Sequence, residues 1–305
     1  MNKWSINDIP DQSGRVIIVT GGNSGLGYES VKALAGKGAE VIMASRSIDR
    51  GQKAINALGE TAGPVTVMQL DLNSFDSINA FADEFKQKYN RLDILMNNAG
   101  IMTTPYFLTV DGLEGQMGTN HFGHFLLTAK LFELIKNTPE ARIVNISSKA
   151  HNAGKMDFDN LIFADGKDYS PMKSYGRSKL ANLLFTYEMQ RRVTAAGLEL
   201  QVLAAHPGVS ITNLASHFET KWWFKIIMPI SKLMFQDAAA GALPQLRAAT
   251  DSSAQGNEYY GPESRNEMKG APVKVSSNRR SHNLDDAKKL WEASEELTAT
   301  KFSIV

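Results

Sequence analysis

Residues 16–27 read Val-Ile-Ile-Val-Thr-Gly-Gly-Asn-Ser-Gly-Leu-Gly. The first four are apolar and β-branched, which is typical of a strand that is buried on both faces. The glycines that follow permit a tight turn, and beyond it Val31, Ala33 and Leu34 recur with helical spacing. This stretch therefore predicts a strand, a glycine-rich turn and a helix in direct succession.

Five further apolar runs repeat the strand pattern along the chain. With the first run, they occupy residues 16–19, 40–44, 65–70, 92–96, 142–146 and 200–204, and we expect each to be buried on both faces. Amphipathic stretches separate them, as at residues 74–89, and helical crossovers are what parallel strands require. We therefore expect an α/β fold in which residues 1–305 form a single Rossmann-like domain. Its doubly wound parallel sheet should have about seven strands with helices on both faces.

Two segments interrupt this alternation. Residues 149–173 are polar and contain glycine, whereas residues 211–236 are rich in apolar and aromatic side chains. Long excursions after the carboxyl ends of strands commonly build substrate sites, so we expect both segments to form pocket walls. For residues 211–236, core packing and a contact between subunits of a homo-oligomer are alternatives. Peripheral docking on a membrane through Trp222 and Trp223 is a further one.

Composition excludes several classes of function. The 33 basic and 32 acidic residues leave a formal net charge of +1, so no overall field would recruit nucleic acid or an anionic membrane. The chain has no cysteine, which excludes disulfides and thiolate metal sites. Residues 1–14 lack the apolar stretch of a signal peptide, and no apolar run is long enough to span a bilayer. Cytoplasm is the default expectation for the compartment, and both a monomer and a homo-oligomer fit the composition.

The turn after the first apolar run suits the pyrophosphate of a dinucleotide. Glycine lets the backbone approach a phosphate closely, and the free amides at the start of the next helix favour negative charge. We expect contacts from Gly21, Asn23, Ser24, Gly25, Leu26 and Gly27. An ordinary tight turn is the alternative, since this glycine spacing differs from the G-x-G-x-x-G of most dinucleotide-binding turns.

The second apolar run ends at Ala44 and is followed by Ser45, Arg46 and Ser47. A fold that binds NAD carries an acidic residue at this place, where it binds the ribose 2′-hydroxyl. A guanidinium forms charge-assisted hydrogen bonds with a 2′-phosphate instead, so Arg46 favours NADP(H). The alternative is a solvated surface arginine.

Further polar residues follow the third and fourth apolar runs at the same predicted edge of the sheet. The adenine and its ribose would pass over Asp71 and Leu72 after the third run, and over Asn98, Ala99 and Gly100 after the fourth. An asparagine at a strand end also satisfies free backbone groups, and the two roles are compatible.

Tyr175 and Lys179 are separated by one helical turn and therefore share a helix face. A nearby ammonium favours the phenolate form of a tyrosine, so Tyr175 would exchange a proton with a substrate oxygen. Ser148, after the fifth run, would hydrogen-bond the same oxygen, and Asn120 could hold a water that connects Lys179 to solvent. For Asn120 alone, a polar residue that bends a helix is the favoured alternative. A Tyr-x-x-x-Lys pair by itself also arises by chance. His121 and His124 lack a third ligand nearby, so we expect no metal.

Taken together, the glycine turn, Asn98, Ser148 and the Tyr175–Lys179 pair resemble the short-chain dehydrogenase/reductase family over nearly the whole chain. In that family the spacing of Gly21, Gly25 and Gly27 is usual. The resemblance implies a catalytic tetrad, a turn beside the nicotinamide and a contact to its carboxamide. The tetrad would be Asn120, Ser148, Tyr175 and Lys179. The turn beside the nicotinamide would be His206, Pro207 and Gly208, and Thr212 would contact the carboxamide.

Ser148 and Tyr175 are 27 positions apart, which is more than is common in the family, so residues 149–173 read as an insertion. The insertion resembles that of the retinol dehydrogenase-like and WW-domain oxidoreductase-like subgroup. This resemblance implies an NADP-dependent enzyme that acts on small apolar carbonyl or alcohol substrates such as retinoids and steroids. The alternative from a different class of function is an NADPH-binding sensor or scaffold that turns nothing over.

Overall fold

The computed structural model describes residues 3–208 and 236–304, and eight strands within these residues form one sheet. They are β1 (Val16–Thr20), β2 (Glu40–Ser45), β3 (Val65–Gln69), β4 (Ile94–Asn97), β5 (Arg142–Ile146), β6 (Gln201–Ala205), β7 (Tyr259–Pro262) and β8 (Pro272–Lys274). The spatial order is β3-β2-β1-β4-β5-β6-β7-β8. The first seven strands are parallel, and β8 pairs antiparallel with β7.

Helices connect the strands and cover both faces of the sheet. They are α1 (Gly25–Gly36), α2 (Ile48–Leu58), α3 (Phe75–Lys88), α4 (Gly115–Met117), α5 (Gly123–Lys136), α6 (Pro171–Ala195), α7 (Ala238–Thr250) and α8 (Leu284–Leu297). A π turn, Gly118–Phe122, joins α4 to α5. None of the described helices combines the length and the apolar character that a bilayer span requires.

Two buried apolar clusters lie on opposite faces of the sheet, because alternate strand residues point to opposite sides. On one face Ile18 packs with residues of α3, α5, α6 and α8, including Phe125 and Trp291. On the other face Ile17 packs with residues of α1, α2 and α7, including Leu246. The predicted single Rossmann-like, doubly wound α/β domain is therefore confirmed.

The strand order reverses between β1 and β4, which are neighbours although β2 and β3 lie between them in the chain. At such a switch point the connections leave β1 and β4 in opposite directions and open a crevice at the carboxyl edge of the sheet. Val19 is in register with Met96, so the glycine turn after β1 and the residues after β4 meet there.

The structure corrects four details of the sequence-based prediction. The sheet has eight strands instead of about seven, and the added strand at its edge is short and antiparallel. β3 lies at the opposite edge and is largely exposed or half-buried rather than buried on both faces. The fourth strand begins at Ile94 instead of residue 92. Helix α6 begins at Pro171, one turn before Tyr175, so the last residues of the predicted insertion are helical.

Candidate active site

The glycine turn after β1 is shaped for close backbone contact. Gly21 and Gly25 have φ values of +65° and +55°, which residues with a side chain rarely adopt. A Cβ on Gly27 would collide with the carbonyl oxygen of Gly21, so the first turn of α1 packs directly on the loop. The side chain of Ser24 makes no capping hydrogen bond at the start of α1. The amides of that first turn therefore remain available to an external anion.

Residues after β4 are fastened to the end of β1. The Thr20 hydroxyl accepts hydrogen bonds from the backbone amides of Asn98 and Ala99, both at 2.9 Å. The side-chain amide of Asn98 donates to the Thr20 carbonyl at 2.8 Å. Asn98 thus satisfies a backbone group at a strand end, which is one of the two roles expected from the sequence. Its hydrogen bonds hold the residues after β4 against the end of β1. Gly100 is exposed, and a Cβ on it would be 3.4 Å from the Lys179 Nζ.

The predicted adenine side of the site lies after β2 and β3. Arg46 is exposed directly after β2, and Ser47 caps α2 by accepting a hydrogen bond from the Arg50 amide at 3.3 Å. The Asp71 carboxylate accepts hydrogen bonds from the backbone and the side chain of Asn73. Leu72 is buried against Gly123. An exposed guanidinium at this strand end is accessible to a phosphate from outside.

Ser148 follows β5 and begins a short 3-10 turn, Lys149–Asn152, whose Ala150 amide donates to the Ser148 hydroxyl at 3.2 Å. The preceding Ser147 hydroxyl donates to the Lys179 carbonyl at 2.8 Å, which ties the end of β5 to α6. This bond brings Ser148 towards Tyr175, which is partly exposed on α6. Burial raises the pKa of Tyr175, and a hydrogen bond with the Ser148 side chain acts in the opposite direction.

Lys179 is 4% exposed, and its ammonium donates to the Ile146 carbonyl at 3.0 Å. Burial disfavours the charged form and lowers the pKa of Lys179 to about 8. The Nζ atom is 5.7 Å from the centre of the Tyr175 ring. The structure therefore brings together the phenol, the ammonium and the hydroxyl that the sequence analysis selected.

Asn120 lies in the π turn and is fully buried. Its side-chain oxygen accepts from the Ile101 amide at 2.8 Å, and its side-chain nitrogen donates to the Ile101 carbonyl and to Ser178. The Asn120 carbonyl interacts with Nδ1 of His124 at 3.1 Å, and Nε2 of His124 lies 2.9 Å from the Thr20 hydroxyl. A Cβ on Gly100 would lie 3.1 Å from the Asn120 Oδ1 and 3.4 Å from the Lys179 Nζ, so these two side chains are close together. The Asn120 side chain also fixes the backbone of Ile101.

His121 and His124 have separate environments. Nε2 of His121 contacts the Ser294 hydroxyl at 3.0 Å, whereas His124 contacts Thr20. Burial lowers the pKa of His121 to about 3 and that of His124 to about 4, so both rings are neutral near pH 7. Residues 3–208 and 236–304 contain no cluster of three potential side-chain ligands for a metal ion.

The turn after β6 contains His206, Pro207 and Gly208, and Gly208 has a φ of +69°. Thr212 and residues 211–235 lie outside the described residues, so the predicted wall at 211–236 is represented here by Gln236 alone. The Gln236 side chain donates to the Pro207 carbonyl at 2.6 Å. The end of the second excursion is thereby joined to this turn.

Sequence reasoning missed the residues that hold these groups in place. Thr20, Ser147 and Ser178 each bond to the backbone or side chain of a proposed site residue. Glu114 accepts a hydrogen bond at 2.7 Å from Ser174, the neighbour of Tyr175. Thr20 could have been found from the sequence, because it is the polar residue that directly follows the first apolar run. No local pattern signals Glu114, because its partner lies 60 positions away in the sequence.

A family model, short chain dehydrogenase, matches residues 15–222 of this chain. That match covers more than half of the sequence, and the chain therefore belongs to the short-chain dehydrogenase/reductase family of oxidoreductases, whose members bind nicotinamide cofactors. Retinol dehydrogenase 12 of Mus musculus is 37% identical over 288 residues, which cover 93% of this chain and 86% of that protein. WW domain-containing oxidoreductase of Gallus gallus is 39% identical over 243 residues, covering 75% of this chain and 57% of that protein.

Among solved structures, an uncharacterized protein from Mycobacterium paratuberculosis is similar over the whole fold. It has 41% sequence identity and a TM-score of 0.83, and the comparison covers 99% of this chain and 100% of that one. The predicted resemblance to the family and to its retinol dehydrogenase-like subgroup is confirmed.

Proposed function

We propose that this protein is an NADP(H)-dependent oxidoreductase that transfers a hydride between nicotinamide and the carbonyl or alcohol group of a small apolar or aromatic substrate. One observation carries the proposal. The buried Lys179 ammonium lies beside the Tyr175 ring, and Ser148 faces the same phenol across the carboxyl edge of the sheet. No carboxylate in the described part of the chain forms an ion pair with Lys179. A buried charge without such a partner is costly, and such groups concentrate where a protein performs chemistry.

We expect the crevice between β1 and β4 to hold the dinucleotide. The uncapped first turn of α1 offers amides to a pyrophosphate, and the close packing of Gly27 on Gly21 holds that turn against the glycine loop. Arg46 would bind a 2′-phosphate. The other residues proposed to hold the cofactor are Gly21, Asn23, Ser24, Gly25, Leu26, Gly27, Asp71, Leu72, Asn98, Ala99, Gly100, Tyr175, Lys179, Pro207, Gly208 and Thr212.

A bound nicotinamide supplies the hydride in carbonyl reduction and accepts it in alcohol oxidation. In reduction, the carbonyl carbon gains the hydride and Tyr175 donates its phenolic proton to the carbonyl oxygen, which gives the alcohol. The Ser148 hydroxyl donates a hydrogen bond to that oxygen as negative charge develops on it. Lys179 stabilises the phenolate that remains on Tyr175. Because burial raises the pKa of Tyr175, the phenol is protonated at neutral pH, as reduction requires.

Two observations support an apolar or aromatic substrate. The chain is 37% identical to a protein named as a retinol dehydrogenase, and retinol is an apolar alcohol. The second excursion, residues 211–236, is rich in tryptophan, phenylalanine and aliphatic residues, as the linings of pockets for apolar ligands commonly are.

The experiment combines a substrate panel with one cofactor variant. Oxidation of NADPH and NADH is followed by absorbance with aromatic ketones, aldehydes, quinones and retinal. We expect faster turnover with NADPH, and Arg46→Asp should weaken the NADPH preference by about 10- to 100-fold, since it removes a charge-assisted contact. Arg279→Asp, another exposed arginine, is the matched control and should leave the preference unchanged.

Two outcomes would contradict the proposal. An unchanged cofactor preference in Arg46→Asp would reduce Arg46 to a surface charge and remove the argument for NADP(H). Tight binding of NADPH without turnover of any member of a broad panel would favour the sensor or scaffold instead of the enzyme.

A further inference from the structure

Two residues from different loops at the carboxyl edge converge on one carboxylate oxygen of a third loop. Oε2 of Glu267, which follows β7, lies 2.9 Å from Nζ of Lys149, which follows β5. The same oxygen lies 3.0 Å from Nε2 of His206, which follows β6. Lys149 is the neighbour of Ser148, and His206 begins the 206–208 turn. Glu267 therefore bridges the loop that carries the serine and the turn proposed to lie beside the nicotinamide.

The hydrogen bonds of His206 determine its tautomer. The Gly208 amide donates to Nδ1 at 3.2 Å, so Nδ1 carries a lone pair and the ring proton is on Nε2. Nε2 then donates to Glu267. His206 is fully buried, and burial lowers its pKa while Glu267 acts in the opposite direction, so the ring is neutral near pH 7. The imidazole thus links the Glu267 carboxylate to the Gly208 amide by hydrogen bonds on its two sides.

Backbone packing shows that this arrangement is closely fitted. A Cβ on Gly261 would collide with Nε2 of His206, and a Cβ on Gly208 would collide with the Met268 carbonyl. Glu267 itself has a φ of +51°, a strained value for a residue with a side chain. The pKa of Glu267 is lowered to about 2, first by the hydrogen bond from His206 and then by Lys149. The bridging group is therefore a carboxylate throughout the physiological range.

We propose that Glu267 is a positioning residue of the hydride-transfer site: it fixes the separation between Ser148 and the 206–208 turn, and with it the placement of the nicotinamide against the substrate oxygen. This inference rests on the proposed function. Glu267 touches neither Tyr175 nor Lys179 in any described hydrogen bond or ion pair, so its effect is transmitted through Lys149 and His206. Small displacements of reacting groups lower the rate of the chemical step more than they weaken substrate binding.

The test compares Glu267→Ala and Glu267→Gln with Glu263→Gln. Glu263 lies in the same loop and, among residues 3–208 and 236–304, forms its ion pair with Lys3 at the surface, so its variant is the control for lost charge. We expect Glu267→Ala to lower kcat by about 10-fold or more and to weaken NADPH binding, with the KM for the carbonyl substrate within about twofold. Glu267→Gln retains an acceptor for the imidazole and should recover part of kcat. Glu263→Gln should match the wild type.

A second measurement does not depend on activity. Nitrogen-15 NMR of the histidines should show the His206 proton on Nε2 in the wild type and in Glu263→Gln, and a changed tautomer balance in Glu267→Ala. Unchanged kcat and NADPH binding in Glu267→Ala with only a lowered Tm would overturn the inference, as would an equal loss in Glu263→Gln. If the wild type neither binds nor oxidises NADPH, the proposed function fails. The NMR signature then decides separately whether Glu267 holds the 206–208 turn.

Discussion

Lys179 is costly to bury, and we propose that its buried ammonium takes part in the reaction. Its ammonium is 4% exposed and donates to the Ile146 carbonyl, and burial lowers its pKa to about 8. A leucine at this position would avoid the cost of burying a charge. Its one-turn spacing from Tyr175, taken together with the glycine turn, Asn98 and Ser148, selected Lys179 from the sequence. Its burial and the loss of basicity that follows depend on the end of β5 and on Gly100, which the sequence does not place against it.

The shifted pKa of Lys179 makes a prediction about pH. In carbonyl reduction by NADPH, kcat/KM should be level at neutral pH and fall by about 10-fold per unit above about pH 8, because the deprotonated amine no longer stabilises the phenolate. The measurement is a profile from pH 6 to 9.5. In Lys179→Arg the guanidinium stays charged, so the decline should move to higher pH. A wild-type profile that stays level to pH 9.5 would contradict this role.

The hydrogen bonds of Asn120 and the contacts of Glu267 could not be predicted from the sequence. Asn120 was selected as the possible holder of a water and again through the family resemblance, but its hydrogen bonds with Ile101 and Ser178 follow from a π turn that no local spacing signals. Glu267 was not selected at all, since its partners Lys149 and His206 lie 118 and 61 positions away. Groups that share a strand end or a helix turn are visible in a sequence, whereas groups joined through tertiary packing are not.

At the scale of elements, the predicted insertion 149–173 is held by α6, the helix that carries Tyr175 and Lys179. Arg177, between Tyr175 and Lys179, is 1% exposed and donates to the carbonyls of Asn160 and Leu161 at 2.5 and 2.9 Å. Its guanidinium lies 4.0 Å from the centre of the Phe163 ring, which is fully buried. The insertion is therefore packed against the rest of the domain, and Arg177 of α6 holds it in position.

Arg177→Met should loosen the insertion, because methionine keeps an apolar stem and leaves the buried carbonyls of the insertion without their donor. We expect a loss of about 3 kcal/mol in the free energy of unfolding by urea titration and faster proteolysis within residues 149–173. Arg279→Met, at an exposed position, is the control and should change the free energy by less than about 0.5 kcal/mol. Equal stability of the two variants would contradict the proposed role of Arg177.

The elements themselves were predictable to different degrees. Long apolar runs and the amphipathic α3 were found because burial on one or both faces gives a clear period. β7 and β8 were missed, since they are four and three residues long and contain glycine or proline. The start of α6 at Pro171, with Ser170 as its N-cap, has a recognisable helix signal, but the polar insertion before it hid the boundary.

At the scale of the whole molecule, the C-terminal part of the chain completes the core. Trp291 of α8 and Phe302 beyond it pack against Phe125 of α5 and Phe185 of α6. Arg192 lies 4.2 Å above the Trp291 ring. Sequence reasoning assigned no role to Trp291 and Phe302, because no strand-like run was predicted after residue 204. The core on this face depends on contacts between the middle and the end of the chain.

Trp291→Ala should lower the free energy of unfolding by about 3 to 5 kcal/mol, the usual cost of emptying a buried tryptophan site. Urea titration measures this loss. The Kd for NADPH should stay within about twofold of the wild type at a temperature where both are folded, because the site lies at the carboxyl edge of the sheet. A loss below about 1 kcal/mol would show that the C-terminal helix contributes little to the core.

The most direct test of the central claim is the turnover of Tyr175→Phe, measured with NADPH binding on the same preparation. Phenylalanine keeps the ring and removes the proton that Tyr175 is proposed to donate. We predict an unchanged Kd for NADPH and carbonyl reduction slower by about 100- to 10,000-fold, the usual contribution of a general acid. Carbonyl reduction at the wild-type rate in Tyr175→Phe would contradict the account.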